Sequence, residues 1–192
     1  MTGSYLDHGL GEFLELVAKR QPAPGGGAVA ALTVSAAAGL VAMAARYSAD
    51  RLDGGEALVD DAERLRAGAA DLADADADAY GAVIAAFTSA RDGDEHIGRE
   101  QVRVALTRAA EVPLEVAELG AGTARLASRL AAEGKRDIRG DATTALLLAE
   151  AATRSAAHLV GVNVRAGGGD EELVRRAAVS VATARDAAAC VE

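Results

Sequence analysis

Pro22-Ala23-Pro24-Gly25-Gly26-Gly27 runs straight into a small-residue apolar stretch, residues 28–49, interrupted by Thr33, Ser35 and Gly39. Two prolines stiffen the approach, and each pushes its predecessor out of the α region. Three glycines then leave no side chain between the backbone and whatever lies opposite. A helix follows at once, and its first N–H groups and positive dipole end face the same space. That makes a floor for a polar or anionic ligand; a rigid turn that lets two helices pass closely is the other reading. No Gly-Lys-Ser/Thr follows, so this is no P-loop. The segment before it reads as helix, so it is no dinucleotide fingerprint. The length of residues 28–49 would suit a membrane span. Alanine drives insertion weakly, however, and the stretch reads as a central helix buried on most faces.

The rest of the chain agrees with helix packing. Its 192 residues suffice for one domain with a real core, taken here as 1–192. Hydrophobic residues make up 51% but aromatics only 3%, with no Trp, so the core must be Ala, Leu and Val. Such a core suits close-packed helices better than a β-sandwich. The formal charge of −9 argues against nucleic acid and against an anionic membrane surface as partners. Cys190 is the single cysteine, and no basic-then-apolar leader opens the chain; the expected location is cytoplasmic.

Helical periodicity predicts a first helix over 5–20, capped by Ser4, with Leu6, Leu10, Phe13, Leu14 and Val17 on one stripe. After the break at Asp53-Gly54-Gly55, one long helix is expected over 56–90, with Leu58, Leu65, Leu72, Val83, Ile84 and Phe87 inside. A polar loop at 91–96, a helix over 98–110 ended or kinked by Pro113, and a helix over 114–132 follow. Asp141 is read as the N-cap of a helix reaching 164, and a last helix covers 171–189. The fold class is all-α, a multihelical bundle.

Candidate chemistry is sparse. His8, His96 and His158 have no partner at ligand spacing, so no metal site is expected. Asp71, Asp74, Asp76 and Asp78 fall on one helix. Asp71, Asp74 and Asp78 share a face and read as a solvated stripe. Asp76 points about 200° away from Asp74, toward the apolar side. A carboxylate against an apolar wall has a raised pKa and can serve as acid or base. Asp137 and Asp141, near Gly140, form another candidate, with capping as the simpler role of Asp141. Asn163 and Arg165, near a helix end, could read a heterocycle or a carboxylate, or cap that end.

These segments together resemble the cyclodeaminase/cyclohydrolase family, meaning the C-terminal domain of formiminotransferase-cyclodeaminase and free-standing methenyltetrahydrofolate cyclohydrolases. Pro22 to Ala31 matches its Pro-x-Pro-Gly-Gly-Gly-x-x-Ala-Ala segment. Asp74, Asp76, Ala79 and Tyr80 match an Asp-x-Asp-x-x-Ala-Phe/Tyr stretch. Ala109 to Leu114 match Ala-x-x-Val-Pro-Leu, and Asn163-Val164-Arg165 matches a late Asn-Val-Arg/Lys segment. Five positions depart from the pattern: Gly140 for Ser, Asp137 for Asn, Gly167 for Asn, and Tyr47-Ser48 for Leu-Thr. Three of these change hydrogen-bonding groups expected near the pocket.

The resemblance implies an intertwined homodimer and a tetrahydrofolate derivative as substrate. It implies attack at the carbon bridging N5 and N10, either with loss of ammonia or by water, and no metal or redox cofactor. On chemical grounds Asp76 or Asp141 would move the proton. Gly25, Gly26 and Gly27 would form the cradle, and Asn163 and Arg165 would hold the folate. The alternative is a non-catalytic folate- or metabolite-binding paralogue, or a scaffold, of the same fold.

Overall fold

The structure, a computed structural model, describes residues 3–92, 95–167 and 170–190, with only the backbone of 92 and 95–97. All regular elements among them are helical. A 3₁₀ turn, Tyr5–Asp7, precedes α1 (Leu10–Ala18), α2 (Gly26–Ser48), α3 (Gly55–Asp92) and α4 (Glu95–Glu133). A second 3₁₀ turn, Arg136–Ile138, leads into α5 (Arg139–Gly167) and then α6 (Glu171–Ala188).

Helix α2 is the centre. Among the described residues it is the one helix long and apolar enough to cross a membrane. Twelve of its 23 residues are buried within this chain, against α3, α4 and α5, which is the placement of a core helix. Alanine makes this possible, because small side chains let helix backbones approach closely. Gly120 on α4 marks one close crossing. A β-carbon there would fall 2.3 Å from Thr153 Oγ1 on α5 and 3.2 Å from Val34 Cγ2 on α2. One apolar cluster fills the space around the N-terminal half of α2, with Tyr5, Phe13, Ala28, Ala31, Val34, Ala73 and Val116. A second surrounds its C-terminal half, with Val41, Leu58, Leu130 and Leu146. Leu130 and Leu146 are the bulkiest fully buried side chains. The surface is laced with ion pairs at i,i+3 and i,i+4 spacing, such as Arg103–Glu100 and Arg129–Glu133. Exposed pairs of this kind contribute little each.

Several sequence expectations need correction. The first helix is split: Ser4 caps the 3₁₀ turn by accepting from Leu6 N–H, and α1 begins only at Leu10. Its apolar stripe faces outward. Phe13 is buried, whereas Leu6, Leu10 and Leu14 are 53%, 75% and 58% exposed. Ile84 and Phe87 on α3 are exposed as well. Pro113 does not end a helix. It sits buried inside a continuous α4, between the buried Val112 and Leu114. The loop expected at 91–96 shrinks to the link between α3 and α4; His96 lies in the first turn of α4, its side chain outside the described residues. Asp141 is not an N-cap, because α5 already begins at Arg139. It stands in the first turn, where a carboxylate complements the helix dipole.

Candidate active site

The glycine turn meets the aspartate run where α2 begins. The chain passes a cis Ala23–Pro24 bond and enters α2 at Gly25, which supplies no capping side chain. The missing cap comes from α3. Ala28 N–H, in the first turn of α2, donates to Asp76 Oδ2 at 3.1 Å. Gly27 makes the approach possible: a β-carbon there would lie 1.9 Å from Asp76 Oδ1 and 2.3 Å from its Cγ. Any side chain at position 27 would occupy the space of the carboxylate. Val29 N–H is taken by Gly25 C=O. Gly26 and Gly27 thus keep the helix-start N–H groups that no acceptor among the described residues takes.

Asp76 borders a cavity of about 320 Å³. Its walls are the turn itself (Pro22, Ala23, Gly25 to Gly27), Ala79 and Tyr80 on α3, Ala109 on α4, and Leu159, Val162 and Asn163 on α5. Burial pushes the Asp76 carboxyl above its ordinary value, and the Ala28 hydrogen bond pulls it part of the way back. The group is therefore poised to exchange a proton nearer neutrality than a free aspartate. Asn163 Nδ2 donates to Ala109 C=O at 2.6 Å, which ties α5 to α4 and fixes the amide at the cavity wall. Tyr80 presents a half-exposed ring on the same side as Asp76.

Asp74 is not part of a solvated stripe. It is half-buried, and its Oδ1 accepts from Tyr5 N–H at 2.8 Å, clamping the N-terminal turn onto α3. Tyr5 is 4% exposed and edge-on to Phe13, and its hydroxyl has no hydrogen-bond partner among the described residues. Burial, then the carboxylates of Asp74, Asp76 and Asp78, pushes its phenol up, so it stays neutral. Asp78 is exposed.

The sequence candidates thus divide. Gly25, Gly26, Gly27, Asp76 and Asn163 converge on one cavity, joined by Tyr80, which sequence reasoning had only as a motif position. Arg165 is exposed and does not line that cavity; its guanidinium folds back along α5 over Gly161. Asp141 is exposed and lies 22 residues before Asn163 on α5, about 33 Å along the helix axis. Within one chain it does not meet Asp76. Asp137 and Gly140 share that far end, so their departures from the family pattern do not touch this cavity. Gly167 closes α5 against α4, where a β-carbon would come 2.9 Å from Leu106 Cβ. Among the described residues no group of three or more His, Cys, Asp or Glu side chains converges to hold a metal.

Comparison with known proteins adds to this geometry. The family model described as formiminotransferase-cyclodeaminase matches residues 9–183. A curated relative, the methenyltetrahydrofolate cyclohydrolase of Methylorubrum extorquens, is 30% identical over 161 residues, which is 80% of this chain and 77% of that protein. The crystal structure of formiminotetrahydrofolate cyclodeaminase from Thermotoga maritima resembles this chain with a TM-score of 0.83 at 26% identity. The match covers 97% of this chain and 94% of that one.

Proposed function

The chain belongs to the formiminotransferase-cyclodeaminase family, and from that premise we propose that it acts on the carbon bridging N5 and N10 of a reduced folate, with Asp76 as the proton-transfer group. The observation that carries this reading is the half-buried Asp76 carboxylate, held at the start of α2 and open to a cavity on its other side.

The chemistry asks for one group that can both take and give a proton. In a cyclohydrolase reaction, water attacks the methenyl carbon. Asp76 accepts a proton from that water and returns it to N5 as the C–N5 bond breaks, while the carbinol hydroxyl releases its proton to solvent as the 10-formyl C=O forms. In a cyclodeaminase reaction, N10 attacks the formimidoyl carbon. With the formimidoyl group reacting as its cation, Asp76 takes the N10 proton and passes it to the departing nitrogen, ammonia leaves, and the cationic methenyl bridge remains. Both routes pass through a tetrahedral carbon between two nitrogens. A carboxyl whose pKa is raised by burial serves either direction. The carboxylate also offsets the positive charge of the methenyl bridge while it lasts. The free N–H groups of Gly26 and Gly27 and the fixed Asn163 amide orient polar atoms of the ring system, and Tyr80 offers a stacking face.

A homodimer is part of the same proposal. Leu6, Leu10 and Leu14 line one face of the N-terminal segment, and Ile84 and Phe87 stand exposed on α3. Apolar faces of this kind find cover in a second copy.

The test is the absorbance of 5,10-methenyltetrahydrofolate followed with and without the protein, starting once from the methenyl compound and once from N5-formimidoyltetrahydrofolate. Accelerated loss in the first assay reports water attack. Accelerated gain in the second reports ammonia release. Tight binding of both compounds without turnover would favour a folate-binding paralogue, and neither binding nor turnover would refute the proposal.

A further inference from the structure

Tyr5 Oη is the one buried side-chain polar atom among the described residues without a hydrogen-bond partner. A buried hydroxyl left unpaired is destabilising, and phenylalanine would fill the same space without that penalty. The backbone fixes where the ring starts. Tyr5 N–H donates to Asp74 Oδ1 at 2.8 Å, so the residue is anchored on the Asp74 side of α3. Asp76 lies about 160° from Asp74 by the shorter way round the helix, and Ala77 and Ala73 fall between them, at about 60° and 100°. Tyr5 and Ala73 belong to one buried cluster with Ala28, and Ala77 packs against it. The ring therefore runs from its anchor over this alanine strip toward the Asp76 side. Phe13 holds it edge-on, with ring centroids 5.7 Å apart.

An acceptor is left over at the end of that path. Asp76 Oδ2 takes Ala28 N–H, whereas Oδ1 takes no hydrogen bond among the described residues. A tyrosine hydroxyl lies a full ring's length from its own backbone nitrogen, so Asp74, which holds that nitrogen, is badly placed to take the hydroxyl as well. Asp78 is exposed. We propose that Tyr5 is a positioning residue for Asp76, its hydroxyl donating to Asp76 Oδ1 through one bridging water. The use of this contact in turnover rests on the functional reading above; the contact itself does not. A donor aimed at a carboxylate favours the ionised form, so Tyr5 offsets part of what burial does to Asp76. Burial, then the carboxylates of Asp74, Asp76 and Asp78, pushes the phenol up, so it stays a donor wherever Asp76 titrates. No charged side chain of α2, α4 or α5 lines the Asp76 cavity, which leaves Asp74 and Asp78 as the other charges acting here.

The experiment titrates the Asp76 carboxyl carbon by carbon-13 NMR in wild type and in Tyr5→Phe, with Asp76→Asn and Asp74→Asn assigning the two signals. Tyr5→Phe keeps the ring and its packing on Phe13 and removes only the hydroxyl. The Asp76 midpoint should rise by about 0.5–1 pH unit, the worth of one hydrogen bond to the ionised form, while the Asp74 midpoint stays where it was. On whichever reduced folate the wild type converts, the acid limb of kcat against pH should move up by the same amount. Above that limb Asp76 is ionised with or without the hydroxyl. A hydroxyl with only a structural role would change the denaturant midpoint and move neither titration. An unmoved Asp76 midpoint, or a shift confined to Asp74, would overturn the proposal. A shifted Asp76 midpoint in a chain that converts no reduced folate would sustain the Tyr5–Asp76 contact and sink the functional reading instead.

Discussion

Both ends of α2 are closed by other parts of the chain, and they are closed differently. At the C-terminal end Ser48 is fully buried, and its Oγ accepts from Lys135 N–H at 3.0 Å. Lys135 Nζ in turn pairs with Asp50 at 3.1 Å. That end is packed and neutral at its centre. At the N-terminal end the closing group is an ionisable carboxylate from α3, with one hydrogen bond from Ala28 and an open cavity beside it. Closing a helix needs only an acceptor near its first N–H groups. A half-buried carboxylate that also faces an open cavity is more than closure requires, and the excess marks the site.

The comparison breaks most sharply at position 27. Gly27→Ala should displace the Asp76 carboxylate, because the new β-carbon would take its place. We expect turnover to fall by about 10²-fold or more, together with a stability loss of about 1–3 kcal/mol. Gly26→Ala one position earlier has room and should fold as well as wild type. Steady-state kinetics and denaturant midpoints on both variants check this; equal behaviour of the pair would show that the close approach of Asp76 to Gly27 has no consequence.

Ser48→Ala tests the other end. Lys135 N–H would lose its acceptor in a part-buried setting, for a cost of about 1 kcal/mol. Turnover per folded molecule should not change. A large drop in kcat in a well-folded Ser48→Ala protein would mean the two ends are not separate in function.

Asp74 sharpens the contrast between neighbours two residues apart. Both carboxylates accept a backbone N–H, but only Asp76 borders the cavity. Asp74→Ala should release the N-terminal turn and lower stability by about 1 kcal/mol. It should expose the amides of residues 5–18 to faster hydrogen exchange and leave kcat as it was. Unchanged exchange over that segment would contradict the clamp.

The smallest effect is one of pH. Burial raises Asp76 above the ordinary aspartate value. Between those two values the folded chain keeps a proton that the unfolded chain has released. Folded binds more protons than unfolded, so stability falls as pH rises through that window. Asp76→Asn never ionises and should lack the fall. Denaturant midpoints taken at stepped pH would show it as a difference in slope between the two proteins, and parallel curves would mean that Asp76 is not held up by burial.

The sequence carried the core of the site because two local signals met there. The Gly-rich helix entrance needed something opposite it, and the three-and-four spacing of Asp71, Asp74 and Asp78 set Asp76 apart from them. What failed has physical reasons. The stripe Leu6, Leu10, Leu14 says which face of a helix is apolar, not whether this same chain covers it. Pro113 removes one N–H and one turn's hydrogen bond, but burial of Val112 and Leu114 on either side carries α4 through. Asp141 suits a cap and a first turn equally by residue type. Arg165 lies two residues beyond Asn163, about 200° round the helix, and so leaves the cavity that Asn163 faces.

The central claim, that the carboxylate at the start of α2 moves the proton, is tested most directly by the kcat of Asp76→Asn on whichever reduced folate the wild type converts. The amide keeps the shape and can still accept from Ala28 N–H, but it cannot take up or release the proton. The account predicts a fall of about 10²–10⁴-fold in kcat with much less change in substrate affinity. A folded Asp76→Asn protein that turns over at the wild-type rate would contradict it.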